Sequence, residues 1–109
     1  MKTIEEKEVK KILKEIGLTQ FSVQFFLDSV KICEKNKIHI LDLNLTKDIY
    51  PALSKKYNRT EKSIEKEIYC DLKDTWAKNH EKICKKLKYE NKPTIKKLIR
   101  ILLLLIRTK

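Results

Sequence analysis

At 109 residues the chain suffices for one domain around a single core of modest size. One Gly and two Pro against abundant Lys, Glu, Ile and Leu disfavour strands and predict an all-α fold of about five to six helices with short connections. A balance of 26 Lys and Arg against 15 Asp and Glu, net +11, points to a polyanionic partner: DNA, RNA or an acidic membrane surface.

Three cysteines, Cys33, Cys70 and Cys84, show no CxxC spacing, as expected of reduced thiols in a cytosolic protein. His80 and Cys84 can share a helical face, but two ligands do not make a zinc site, so no metal and no cofactor is expected. There is no glycine-rich phosphate loop and no paired nucleophile and base, so the chain does not read as an enzyme. The first dozen residues are charged throughout and form no secretory signal, which predicts a cytoplasmic protein.

In chain order, Thr3-Ile4-Glu5-Glu6 forms a capping box that opens helix one. Gly17 closes it, and Val9, Ile12, Leu13 and Ile16 form its buried stripe. Helix two, about residues 20 to 35, carries Val23, Phe26, Leu27, Val30 and Cys33 on one face and Phe21, Phe25 and Ile32 on another, the pattern of a central pillar buried on two sides. Residues 36 to 45 alternate as a short strand would, but with no second strand to pair with they are expected to be an extended connector. His39 lies in it as an exposed or packing residue.

Residues 46 to 78 read as a helix-turn-helix. Thr46 caps the first helix, Pro51 falls in its first turns, and a local irregularity is expected near Tyr50. Ile49, Leu53 and Tyr57 recur every four residues. Asn58-Arg59-Thr60 then supplies the turn, with Thr60 as N-cap of the second helix. Stepping about 100° per residue, Ile64, Ile68, Leu72, Thr75 and Trp76 share one sector, which should be buried. The opposite sector gathers Lys62, Ser63, Lys66, Cys70 and Lys73, flanked by Glu65 and Tyr69, combining cations with groups able to hydrogen-bond base edges. After Lys78, Asn79 caps a short helix with Ile83, Cys84 and Leu87. Residues 88 to 93 form a polar linker, and Thr94 caps a last helix through Arg107.

The run Ile49-Tyr50-Pro51-Ala52-Leu53-Ser54-Lys55-Lys56-Tyr57-Asn58-Arg59-Thr60, with Ile64-Glu65-Lys66, Ile68 and Trp76 after it, resembles the C-terminal DNA-binding domain of the sporulation master response regulator. Lys14-Glu15-Ile16-Gly17 and Lys92-Pro93-Thr94 agree with the same family, so the resemblance runs in order over roughly residues 9 to 106. It implies a single DNA-binding effector domain whose helix 61–78 enters the major groove. Lys62, Ser63, Glu65, Lys66 and Tyr69 then lie nearest the bases, with Arg59, Thr60, Lys73 and Lys92 on phosphates. It further implies double-stranded DNA in the nucleoid as partner and RNA polymerase as a further one. The family reads its DNA box largely with arginines, where this chain has Ser63, Lys66 and Tyr69; only Glu65 is kept. A different target sequence is therefore expected. The segment between Trp76 and Lys92 is shorter than in the family, and no phosphoacceptor receiver precedes the match, which leaves a stand-alone regulator and an excised effector domain both open.

The last helix, about 94 to 107, has a core face of Ile95, Leu98, Ile99, Leu102, Leu105 and Ile106. Ile101, Leu103 and Leu104 lie off that face, more apolar surface than a surface helix of a small monomer should carry. Twelve residues interrupted by Lys96, Lys97 and Arg100 fall short of the ~20 a bilayer span needs. The simplest cover is a second copy, giving a homodimer on tandem half-sites. The alternative is a helical protein-interaction module that no longer reads bases and holds a partner on this helix. An interfacial membrane helix is a third reading.

Overall fold

The structure, a computed structural model, describes residues 2–107, with side chains from Glu6 onward. Among the described residues there are five α-helices and no strand: α1 Lys2–Glu15, α2 Gln20–Lys35, α3 Tyr50–Tyr57, α4 Glu61–Leu87 and α5 Ile95–Arg107. The capping box anticipated at Thr3 lies outside the described side chains.

α1 ends as its sequence dictates. Gly17 takes φ +100, a left-handed conformation open to glycine at little cost, and the Leu18 amide closes back on the Leu13 carbonyl. The same glycine lets α4 come close, because a Cβ there would stand 2.7 Å from the side-chain nitrogen of Asn79. Thr19 then caps α2 and is itself held from α4: Asp71 accepts from the Thr19 amide at 3.0 Å and from its hydroxyl at 2.8 Å. A carboxylate thus sits at the positive end of α2, where it is electrostatically favoured.

α2 is the pillar that its two apolar faces predict. Val23, Phe25, Phe26, Leu27, Val30 and Cys33 are buried, Phe21 and Ile32 are half-buried, and the helix packs against α1, α4, α5 and the segment leading into α3. Asp28 is buried among them at 3 % exposure, and its charge is fully partnered. The Tyr57 hydroxyl donates to it at 2.5 Å, the Gln24 amide at 2.9 Å, and Lys56 pairs with it at 3.1 Å, so α2 is pinned to α3 by a buried carboxylate. Burial, and then the hydrogen bond to Asp28, push the Tyr57 phenol well above its ordinary range.

The connector departs from the extended chain predicted. Ile40–Asp42 forms a 3-10 turn whose first amides are capped by His39 Nδ1, the acceptor for the Leu41 amide at 3.2 Å. Two arginines bind this segment to α5: Arg100 donates to the Ile40 carbonyl at 3.1 Å, and Arg107 to the Ile38 carbonyl at 2.9 Å. That packing corrects the reading of the last helix. Ile101 is 8 % exposed and Leu103 is 0 % exposed, both within the chain's own core, and of the three only Leu104, at 48 %, faces solvent. α5 is flanked by α2, α4 and the 3-10 turn, so it has several buried faces, not one. Leu105 and Ile106, assigned to the core from their angular position, are half-buried in the final turn.

Candidate nucleic-acid interface

The approach to α3 begins two residues earlier than predicted. Asn44, not Thr46, is the cap: its side chain accepts from the Lys47 amide at 3.1 Å, and its own amide donates to Asp48 at 2.9 Å. Leu45–Ile49 then winds as a π-turn in which the Tyr50 amide reaches the Leu45 carbonyl five residues back. Pro51 explains the irregularity, since it has no amide proton and its ring needs room against the carbonyl four residues earlier, which a widened turn provides.

α3 stops at Asn58, whose φ of 54 is tolerated better by asparagine than by most side chains. The Arg59 amide returns to the Ser54 carbonyl at 3.1 Å, and the Ser54 hydroxyl donates to the Arg59 carbonyl, so both sides of the turn are fixed. Thr60 caps α4 as its sequence foretold, accepting from the Ser63 amide at 3.1 Å. Ile64, Ile68, Leu72 and Thr75 face the core and Trp76 is half-buried, which fixes the rotation of α4.

That rotation leaves Lys62, Glu65, Lys66, Tyr69, Cys70 and Lys73 exposed, with Tyr69 at 54 %. The remaining predicted residues divide. Arg59 and Ser63 are engaged with one another: the Arg59 guanidinium donates to the Ser63 hydroxyl at 2.7 Å, pairs with Glu67 at 2.8 Å and lies 4.7 Å over the Phe21 ring. Either group must trade those bonds to touch DNA. Lys92, from the linker before α5, stands 5.3 Å over the Tyr69 ring and so joins the exposed face of α4. Lys73 is exposed one turn beyond Tyr69 on the same helix.

Sequence reasoning missed what lies beside this face. A groove of about 680 Å³ separates α4 from the start of α5; Leu45, Tyr50, Leu72, Pro93 and Ile95 line it, with Lys62, Glu65, Lys66, Tyr69, Lys92 and Lys96 around them. Tyr50 is 4 % exposed and its hydroxyl has no hydrogen-bond partner among the described residues. Burial, then the nearby Glu65 and Glu61 carboxylates, push its phenol up to about 12. The only sequence-level signal was Pro51 beside Tyr50, which announces an unusual turn but not a cavity.

The helix break at Asn79 is present, but its cap is not. α4 continues through it with φ −133 and ψ 28 at that residue, and the Asn79 side-chain Nδ2 donates instead to the Ile16 carbonyl at 3.2 Å, satisfying an acceptor at the end of α1. His80 rests 5.7 Å from the Trp76 ring and the Cys84 thiol donates to the Glu90 carbonyl. No cluster of three or more metal-ligating side chains occurs among the described residues, and none of their helices is long and apolar enough to cross a membrane.

Comparison with curated proteins and with solved structures gives no significant match. Comparison with protein families gives one: the family described as sporulation initiation factor Spo0A C terminal matches residues 9–105, nearly the whole chain. With that extent of match, the chain belongs to the Spo0A C-terminal family, the DNA-binding effector domain of a sporulation regulator.

Proposed function

We propose that the chain is a sequence-specific regulator of transcription that lays the first half of α4 in the major groove of double-stranded DNA. The observation that carries this reading is the exposed face of α4, where Lys62, Lys66 and Lys73 alternate with Glu65 and Tyr69 on a helix whose rotation is fixed by its buried side. Lysines and Tyr69 offer donors to purine N7 and O6, and Glu65 accepts from cytosine N4. Lys73, Lys92 and the backbone at Thr60 take phosphates in this reading, and by giving up their mutual bond Arg59 joins them and Ser63 joins the base-facing residues. With lysine, serine and tyrosine where the family has arginines, bidentate reading of guanine is weaker, and the preferred site differs from the family's box.

Such a regulator works at the nucleoid, with RNA polymerase as the machinery it acts on. Pairing of two copies on tandem half-sites rests now on Leu104 and on the DNA itself, because Ile101 and Leu103 are in the core. The same burial reduces the apolar surface that favoured a partner-holding module to Leu104 and the half-buried Leu105 and Ile106. Fluorescence anisotropy of a labelled mixed-sequence duplex at rising salt tests the reading. Three cationic phosphate contacts, from Arg59, Lys73 and Lys92, predict a slope of log K on log salt of roughly −3. Salt-independent binding, or none at low salt, would overturn it.

A further inference from the structure

We propose that the groove between α4 and α5 is a binding site for a small amphipathic anion, an aromatic or acyl carboxylate whose body fills the recess and whose charge meets the lysines at its rim. Its volume of about 680 Å³ lies within the range of small-molecule sites. The inner surface is apolar, formed by Leu45, Leu72, Pro93 and Ile95 together with the ring of Tyr50. The Tyr50 hydroxyl, buried without a partner among the described residues, supplies a donor that an oxygen of the ligand would satisfy.

The charge is equally one-sided. Lys62, Lys66, Lys92 and Lys96 border the groove against the carboxylate of Glu65 in its lining and that of Glu61 near the Tyr50 hydroxyl, so cations outnumber acids by four to two. Thr94, Ile95 and Lys96 at the start of α5 line it; the Thr94 hydroxyl caps the Lys97 amide at 3.1 Å, and that first turn holds Lys96 and Lys97 with no acidic residue to offset the positive end of the helix dipole. Duplex DNA does not meet these requirements by itself. Its phosphates can reach the rim, but stacked bases present polar edges and cannot fill an apolar recess.

Lys62, Lys66 and Tyr69 belong both to this groove and to the DNA-reading face, so an occupant would lower affinity for DNA; this regulatory part rests on the function proposed above. The test is an amide NMR titration of the whole chain with 2-naphthoate, using neutral 2-naphthalenemethanol as the control. Saturable shifts at Leu45, Tyr50, Leu72, Ile95 and Lys96, with a dissociation constant below about 1 mM, are expected. Binding should weaken about tenfold for the neutral compound and for the Lys92→Gln, Lys96→Gln variant, and several-fold for Tyr50→Phe, as charge-assisted and neutral hydrogen bonds are removed in turn. Equal binding of the neutral compound, or shifts centred on the exposed lysines of α1, would overturn the site. A labelled duplex then separates the two proposals. Competition between duplex and naphthoate supports the regulatory part, and unchanged duplex affinity at saturating naphthoate refutes it. Failure of the chain to bind any duplex removes the DNA reading while the naphthoate site stands.

Discussion

Leu103 and Leu104 are neighbours on α5 with opposite fates, and truncating each to alanine separates folding from association. Leu103 is 0 % exposed, so Leu103→Ala leaves a cavity in a core that cannot fully collapse and should cost ~2 to 5 kcal/mol. Leu104 is 48 % exposed; about half of a burial contribution of ~1.5 to 3 kcal/mol is available to lose, so Leu104→Ala should cost about 1 kcal/mol or less. Against a typical domain stability of ~5 to 15 kcal/mol, the first change is a large fraction of the total and the second a small one. Urea unfolding followed by far-ultraviolet circular dichroism measures both, with an unchanged m-value as the sign that neither alters the unfolded ensemble. Charge placed at Leu103 would unfold the chain, so any association through α5 has to be probed with Leu104→Glu alone. Equal costs for the two alanine variants, together with a wild-type dimer that dissociates when Leu103 is truncated, would refute the placement of Leu103 in the core.

Asp28→Ala leaves the part-buried Tyr57 hydroxyl and Gln24 amide without their acceptor, while the exposed Lys56 ammonium is re-solvated at little cost, so a loss of ~1.5 to 3 kcal/mol is expected in the same unfolding assay. For Tyr50, the folded-state phenol titrates at about 12 against an ordinary 10, so the unfolded chain loses its proton first. Stability contributed by the neutral phenol is therefore complete below pH 10 and falls by ~1.4 kcal/mol per pH unit between 10 and 12. Tyr50→Phe should abolish that part of the alkaline loss while being at least as stable as wild type at neutral pH. Arg59→Ala breaks the Glu67 pair, the Ser63 bond and the stacking on Phe21, and should weaken all duplexes alike in anisotropy titrations, without altering their ranking.

Much of this architecture is legible locally. Gly17, Pro51, Thr60 and Thr94 each act through their own backbone or an adjacent turn, and each does in the structure what its chemistry dictates. The buried side of α4 follows from angular spacing, because a helix packed along one side obeys a single stripe. That assumption fails for α5. Ile101 and Leu103 are covered because the chain lays α2, α4 and the 3-10 turn around this helix, a tertiary fact that no periodicity within residues 94 to 107 contains. Asn44 displaced Thr46 as cap because the π-turn started the helical segment earlier, and Asn79 turned to α1 because Gly17 allowed the approach. The exposed face of α4 was readable except at Ser63, which is half-buried. Its mutual Arg59–Ser63 engagement and the groove beside it were not, since both depend on how elements far apart in sequence meet.

Selection of bound duplexes from a random pool, run in parallel with wild type and Lys66→Ala at one fixed salt concentration, tests most directly whether α4 reads bases. Lys66 is exposed at the centre of the reading face and has no part in the core, so its loss leaves the fold intact. Wild type should enrich a defined motif, and Lys66→Ala should relax it at one position by ~1 to 3 kcal/mol of discrimination while keeping the rest. The same motif recovered undiminished from both proteins, or no motif from wild type, would contradict base reading by α4.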